Sequence, residues 1–148
     1  MADSDVKAMT ADIEVPSFEV AAFTSPVKLS EAKVAIVTSA SLHHPDDEGF
    51  SPSDVGYRVL ESNNRDYVLG PWSPNFDAIG YALDINTVFP IDRLDELAAR
   101  GIIGSVSDKH LSYAGNQFEL SAIRMDSGPA GAKFLKDQDV DIVLLTPV

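Results

Sequence analysis

Two short runs of apolar residues, 33–39 and 140–148, constrain the fold of this chain more than any other feature. The first is rich in valine and isoleucine and ends in the hydroxyl residues Thr38 and Ser39, and the second is rich in valine, isoleucine and leucine. Nearly continuous apolar runs of this length are typical of strands in a parallel sheet, because helices cover both faces of such a strand. We therefore expect both runs to be buried strands.

The segment between the two runs contains patterns for helices and a further strand. Residues 89–101 predict the clearest helix, because Pro90 suits its first turn and Gly101 suits its C-terminal stop. Its apolar stripe consists of Ile91, Leu94, Leu97 and Ala98. A strand is predicted at 102–106 and a second helix at 127–136. The alternation of strand and helix is the order of a wound sheet.

The predicted fold class is α/β, with a Rossmann-like or flavodoxin-like wound and mostly parallel sheet. We divide the chain into an extended N-terminal arm, 1–30, and one α/β domain, 31–148. A short strand is expected at 56–60, followed by a long irregular loop at 61–80 of a kind that is usually functional. The domain is expected to be incomplete at its C-terminus, because its last strand would need a following helix to cover both faces.

Charge and composition exclude several classes of partner. The 148 residues carry a formal net charge of −12, so the surface repels nucleic acids and anionic membranes. No apolar run reaches the roughly 18 residues that a membrane span needs, and the N-terminus lacks the features of a signal peptide. We expect a cytoplasmic protein. With no cysteine, the chain has no disulfide and no thiol chemistry of its own.

Candidate substrate-binding residues are the polar residues expected beyond the carboxyl ends of the strands, where loops and helix N-termini converge in open α/β sheets. They come from the strand ends, the loops that follow and the polar segment 75–84. The residues are Thr38, Ser39, His43, Asn75, Asp77, Asp84, His110 and Thr146. Each also has a structural explanation, because such side chains often cap turns or are only solvated.

No metal site and no nucleotide cofactor are predicted. Asp77, Asp84 and Asp92 could approach one another, but loop, cap and first-turn roles explain them better than a hard metal ion does. The loop after the first strand, 38–41, has no glycine that would let its backbone approach a pyrophosphate.

Several separate motifs resemble one known family. The most specific is the FPIDRL block at 89–94, within the longer match 84–94. Further matches are 56–58, 73–77, Leu97, 101–106, His110 followed by Tyr113 and Gly115, and 140–148. Together they resemble the selenoprotein B family of glycine, sarcosine, betaine and D-proline reductases over roughly residues 33–148.

The resemblance implies a redox reaction. In that family the strand corresponding to 140–148 immediately precedes a selenocysteine or cysteine in a U/C-x-x-C type motif. A partner subunit holds the substrate amine through a pyruvoyl group, and the selenolate or thiolate attacks the carbon that bears the nitrogen. The implied partners are this pyruvoyl-containing subunit, a selenoprotein carrier, a thiol reductant and an amine substrate. A homo-oligomer is a further option.

The resemblance therefore predicts an oxidoreductase component that reductively cleaves a C–N or related bond, with no catalytic residue in the chain as given. The expected selenocysteine or cysteine follows Val148. A UGA codon read as a stop would end the sequence at this point, so we expect a prematurely terminated and inactive translation product.

Two alternatives remain open. One is a catalytically inactive, cysteine-free paralogue that acts as a binding or assembly subunit, with its acidic surface as the partner face. The other is a plain small-molecule-binding α/β domain.

Overall fold

The computed structural model describes residues 24–51, 53–70, 79–115 and 120–148, and the single positions 5, 8, 11, 17, 19 and 117. Most of the predicted N-terminal arm lies outside these residues. The strands are β1 (Lys33–Thr38), β2 (Leu42–His43), β3 (Tyr57–Glu61), β4 (Val68–Leu69), β5 (Ser105–Val106), β6 (Lys109–Tyr113) and β7 (Ile142–Thr146). The helices are α1 (Ile79–Leu83), α2 (Ile91–Ala99) and α3 (Gly128–Lys136), and α3 follows a π-helical turn at Ile123–Ser127.

Strand β1 lies inside the main sheet and organises it. Strand β7 runs parallel to β1 along its whole length, from Val34 opposite Ile142 to Thr38 opposite Thr146. On the other side, β5 pairs in parallel with the start of β1 and β6 pairs in parallel with its end. Strand β3 is antiparallel to β6. The predicted α/β class with a mostly parallel sheet is confirmed.

The strand predicted at 102–106 is shorter than expected, and the strand after it was not predicted at all. Only Ser105–Val106 forms β5, and the chain returns to the sheet as β6 after a kink. Val34 and Val37 of β1 are three positions apart, whereas their partners Val106 and Leu111 are five apart. The extra residues form a bulge, which re-aims side chains and interrupts the ladder.

Apolar side chains cover the two faces of the sheet in different ways. On one face, Ile36 packs in a cluster with Phe89 and with Ile91 and Leu94, the buried residues of the α2 stripe. On the other face, Ala35 and Leu111 pack against Leu135 of α3. Helix α2 ends where Gly101 adopts a φ of +68°, which glycine tolerates without a Cβ penalty. No described helix is long and apolar enough to cross a bilayer.

Strand β7 is the least covered strand of the main sheet. Its apolar side chains Val143, Leu144 and Leu145 are all exposed, with Leu145 at 68%. Beside it, a groove of about 440 Å³ runs between β7 and α3 over the β1 and β6 side chains Val37 and Leu111. A parallel strand in a wound sheet is normally covered on both faces, so this groove is an uncovered part of the core.

Candidate functional site

The ends of β1 and β7 are tied together at the carboxyl edge of the sheet. The Ser39 N–H donates to the Thr146 carbonyl at 3.2 Å, and Ser39 Oγ accepts from the Val148 N–H at 2.9 Å. Thr38 Oγ1 accepts from the Ala40 N–H at 3.2 Å and lies 3.5 Å from the Thr146 carbonyl oxygen. We call this set of bonds, made by Thr38 and Ser39, the β1 clamp. It fixes the backbone that follows β7.

Two neighbouring segments complete the edge. Thr146 Oγ1 donates to the Val88 carbonyl at 3.0 Å, which joins the end of β7 to the segment before α2. After β6, a Cβ atom at Gly115 would lie 2.8 Å from the Ser39 carbonyl oxygen, so only glycine allows this approach. The edge is therefore built from four parts of the chain that meet at the ends of parallel strands.

A cavity of about 190 Å³ opens beside the β1 clamp. Its lining residues are Val37, Thr38, Ser39, Tyr113, Leu145, Thr146 and Pro147. The Tyr113 hydroxyl donates to the Ser127 carbonyl at 2.9 Å, and burial raises the pKa of Tyr113 to about 12, so its ring stays neutral at physiological pH. The lining can orient a small molecule through hydroxyl groups, and among the described residues it includes no side-chain carboxylate, amine, imidazole or thiol.

The structure brings three of the predicted site residues together. Thr38, Ser39 and Thr146 lie at one edge and line one cavity. Asn75 and Asp77 lie outside the described residues.

His110 lies elsewhere than the sequence indicates. We expected it in a loop at the carboxyl edge, but it lies within β6 and its side chain is fully buried. Its Nδ1 accepts from the Ile36 N–H at 2.9 Å, and its ring meets Phe89 edge to face at 5.2 Å. Burial, with a contribution from the positive charge of Arg65, lowers its pKa to about 4. The ring is therefore neutral near pH 7 and fills the bulge between β5 and β6.

His43 is likewise buried, in the short strand β2 instead of an exposed loop. Its Nδ1 lies 3.1 Å from the Ser41 carbonyl oxygen, and its ring meets Phe50 edge to face at 6.0 Å. Ser41 has a φ of +55°, an unusual conformation for a residue that is not glycine. This backbone turn is what carries His43 into the interior.

Asp84 belongs to a polar network at the start of α2. Its Oδ1 accepts from both the backbone and side-chain N–H groups of Asn86, at 2.9 and 2.8 Å, and these bonds lower its pKa. Asn86 also donates to Asp92, whose other oxygen accepts from Arg65 at 2.7 Å. Within the described residues, no hydrogen bond joins Asp84 to the β1 clamp. The network fixes the turn before α2.

Sequence reasoning left several edge residues out of the candidate set, among them Val88, Tyr113 and Gly115. Val88 acts through its backbone carbonyl, which leaves no signal in a sequence. Tyr113 and Gly115 did leave one, since they stand among the motif positions of the family resemblance.

Comparison with known proteins supports that resemblance. A sequence model described as glycine/sarcosine/betaine reductase selenoprotein B (GRDB) matches residues 4–148. The D-proline reductase subunit gamma of Acetoanaerobium sticklandii is 30% identical over 143 residues, which cover 95% of this chain. Glycine reductase complex component B subunit gamma from Symbiobacterium thermophilum and from Carboxydothermus hydrogenoformans is in each case 30% identical over 148 residues and 93% of this chain.

The chain spans 59% of the length of the D-proline reductase subunit and 33% of each glycine reductase subunit. No solved structure matches it. The family match nevertheless extends over almost the whole sequence and includes every strand of the main sheet. The chain belongs to the glycine/sarcosine/betaine reductase selenoprotein B family.

Proposed function

We propose that this chain forms the α/β part of a reductase component that reductively cleaves a C–N or related bond in a small amine. The observation that carries the proposal is the β1 clamp, in which the Ser39 N–H holds the Thr146 carbonyl and the Ser39 hydroxyl holds the Val148 N–H at the carboxyl edge. Ligands of open α/β sheets bind at this edge. The names of the relatives, D-proline reductase and glycine reductase subunits, support the reaction class.

The proposed nucleophile is a selenocysteine or cysteine joined to Val148 and therefore outside this chain. Such a group supplies a soft anion that is ionised near neutral pH and reacts well with carbon. A bond forms between the selenium or sulfur and the carbon as the C–N bond breaks, and the nitrogen keeps the bonding electrons and takes up a proton. A thiol reductant then attacks the selenium or sulfur, the carbon leaves with the bonding electrons and takes up a proton, and a second thiol reduces the resulting S–Se or S–S bond.

The residues of this chain would position the reactants. The Val148 N–H donates to Ser39 Oγ, and this bond fixes the backbone of Val148 beside the cavity. The proposed selenocysteine or cysteine would be attached to that fixed backbone. The Ser39 hydroxyl lies 3.5 Å from the Val148 carbonyl oxygen, a weak contact that leaves its proton available to a substrate. Val37, Leu145 and Pro147 contribute apolar lining that limits water access.

The size of the cavity favours a small substrate. At about 190 Å³ it is smaller than the sites of drug-sized ligands, and an amino acid such as glycine or proline suits it better. In the proposed complex, a partner subunit with a pyruvoyl group holds the amine, and a selenoprotein carrier takes part with the thiol reductant.

The uncovered face of β7 supports a longer domain. Val143 and Leu145 border the groove of about 440 Å³, and burying such side chains is worth about 1.5–3 kcal/mol each. The relatives contain additional polypeptide, since this chain spans 59% or 33% of their length. We propose that the remainder of the reductase subunit covers this face.

The test uses the protein purified from cells that carry its gene and are supplied with selenium. The proposal predicts a protein heavier than the 15.9 kDa of this chain, which contains selenium or a reactive cysteine. It also predicts that, with its partner subunits and dithiothreitol, the protein reduces one of glycine, sarcosine, betaine or D-proline. A 15.9 kDa protein without selenium that assembles with the partner subunits but adds no turnover would contradict the proposal and favour the assembly-subunit alternative.

A further inference from the structure

Two polar atoms in β6 are buried without a hydrogen-bond partner in the described part of the chain. They are His110 Nε2 and Ser112 Oγ. Both residues are fully buried. As alternate residues of one strand they point to the same face, with Cα atoms about 6.6 Å apart. Buried polar atoms are nearly always paired in folded proteins, so two neighbouring exceptions require an explanation.

The hydrogen-bonding role of His110 follows from its other nitrogen. Nδ1 accepts from the Ile36 N–H at 2.9 Å, so a neutral ring must carry its hydrogen on Nε2. Burial keeps the ring neutral by lowering its pKa to about 4. Nε2 is therefore a donor. The Ser107 carbonyl lies near the ring and acts to raise its pKa, but no described residue accepts a well-formed hydrogen bond from Nε2. The ring of Phe89, which meets His110 edge to face, offers at most a weak one.

The polar side chains opposite Ser112 already have other hydrogen-bond or ion-pair partners. Ser112 lies opposite Thr38 on β1 and opposite Arg58 on β3. Thr38 Oγ1 accepts from the Ala40 N–H at 3.2 Å. The Arg58 guanidinium pairs with Asp54 at 2.7 Å and stacks over a phenylalanine ring at 4.4 Å. The Ser112 hydroxyl, which can both donate and accept, therefore needs a different partner.

We propose that His110 and Ser112 together bind one buried water molecule. The water accepts from the His110 Nε2–H and bonds to Ser112 Oγ. Two hydrogen bonds of about 2.8 Å each through one water span up to roughly 5.5 Å, which suits side chains on alternate residues of a strand. Buried waters commonly satisfy such groups and are part of the structure. Ser112 stands in the same row of the sheet as Thr38 and Thr146, which line the cavity, and His110 lies two residues earlier on its strand.

The primary test is a crystal structure of the protein at a resolution that shows ordered water. We expect a density peak within 3.2 Å of both His110 Nε2 and Ser112 Oγ. In solution, the Nε2–H should give a slowly exchanging ¹⁵N-resolved signal with a cross-peak to a water resonance. Absence of the peak and of the cross-peak would overturn the proposal.

The variant Ser112→Ala provides an independent test, because the two possible states of the hydroxyl predict opposite results. If the hydroxyl bonds to water, its removal should lower the folding equilibrium constant by roughly three- to tenfold. If the hydroxyl is unpaired, its removal should leave the constant unchanged or raise it, and that result would contradict the proposal. The control is Ser105→Ala, since Ser105 is an exposed serine of the same sheet.

Discussion

His110 acts as a structural residue of the sheet in this fold. The bulge between β5 and β6 removes the carbonyl that would pair with the Ile36 N–H, and the imidazole Nδ1 takes that place at 2.9 Å. An unpaired buried N–H costs about 1–3 kcal/mol, so the ring stabilises the strand it interrupts. A direct role in substrate binding stays a prediction, and the buried position of the ring does not favour one.

The titration of His110 predicts how stability depends on pH. Its pKa falls from an ordinary value of 6.5 to about 4 in the folded chain. Between these two values the unfolded chain binds a proton that the folded chain does not. The contribution of His110 to the free energy of unfolding is therefore fully present above pH 6.5 and is lost as pH falls toward 4. The full loss is roughly 3 kcal/mol.

Urea unfolding at pH 4.5 to 7, with an NMR titration of the His110 ring, checks this prediction. The carboxyl groups of Glu61 and Asp92 also have lowered pKa values, through bonds to Lys109 and to Asn86, but their contribution is lost only as pH falls below their ordinary values of 4.5 and 3.8. Between about pH 5 and 6.5 the loss of stability therefore reports on His110. A His110 ring that titrates near 6.5 would contradict the assignment.

Ser39 is the clearest candidate for a positioning residue. In the longer reductase, Ser39→Ala removes the acceptor for the Val148 N–H, and we expect kcat to fall by roughly ten- to hundredfold because the following residue loses its fixed position. Stability should fall by only about 1 kcal/mol, the usual worth of one hydrogen bond. Parallel turnover and unfolding measurements check this, with Ser105→Ala as the control. Unchanged kcat, or a loss fully explained by unfolding, would contradict the role.

The sequence predicts some of these residues and not others for a physical reason. Thr38, Ser39 and Thr146 end strands that are apolar throughout, and parallel strands place their ends at one edge. The burial of His110 and His43 depends on a bulge and on the positive φ of Ser41, which residue types alone do not encode. The positions of polar residues at strand ends were therefore predictable from the sequence, whereas the positions of residues that depend on a bulge or an unusual backbone angle were not.

At the level of elements, a close contact between α3 and β6 shapes the groove side of the sheet. A Cβ atom at Gly131 would overlap the Tyr113 hydroxyl and lie 3.0 Å from Leu111 Cδ1. Glycine at this position lets the helix approach β6, and Tyr113 in turn bonds to Ser127 before the helix.

The variant Gly131→Ala tests this contact. We expect it to destabilise the chain by about 1–3 kcal/mol through overpacking, and Tyr113→Phe in the same chain should recover part of the loss because it removes the overlapping hydroxyl. The matched control is Gly80→Ala in α1, where the added Cβ meets only Thr87 at 3.8 Å. Thermal or urea unfolding gives the comparison. Equal effects at the two glycines would contradict the account.

The pattern of elements was predictable where periodicity is strong. Helices α2 and α3 and strands β1 and β7 lie within the predicted segments, and β3 extends one residue beyond its predicted segment, to Glu61. Strand β6 was missed because its alternation of Lys109, His110, Leu111, Ser112 and Tyr113 has buried polar residues where a strand usually has apolar ones. The buried polar residues of β6 are therefore the reason that its sequence pattern did not predict a strand.

At the scale of the whole molecule, strand β7 exposes more apolar side chains than any other described strand of the main sheet. Leu145 is 68% exposed and its neighbours Val143 and Leu144 are also exposed. In the described sheet, β7 pairs with β1 alone. An exposed apolar edge strand favours association with other chains.

We therefore expect the 148-residue chain to bind the dye ANS and to self-associate at micromolar concentration, and the longer reductase subunit to do neither to the same extent. Leu145→Lys should reduce the association, because a charge on the edge strand blocks pairing. Leu83→Lys, on the exposed surface of α1, is the control and should change little. Fluorescence titration and sedimentation give the readout. Equal ANS binding by the short and long proteins would contradict the idea that additional polypeptide covers β7.

The central proposal is that a selenocysteine or cysteine directly follows the backbone held by the β1 clamp. The nucleotide sequence downstream of the Val148 codon tests it most directly. The account predicts a UGA or cysteine codon next, followed in frame by coding sequence with a cysteine a few residues on. A stop codon with no coding sequence beyond it, or a sense codon for any residue other than cysteine, would contradict it.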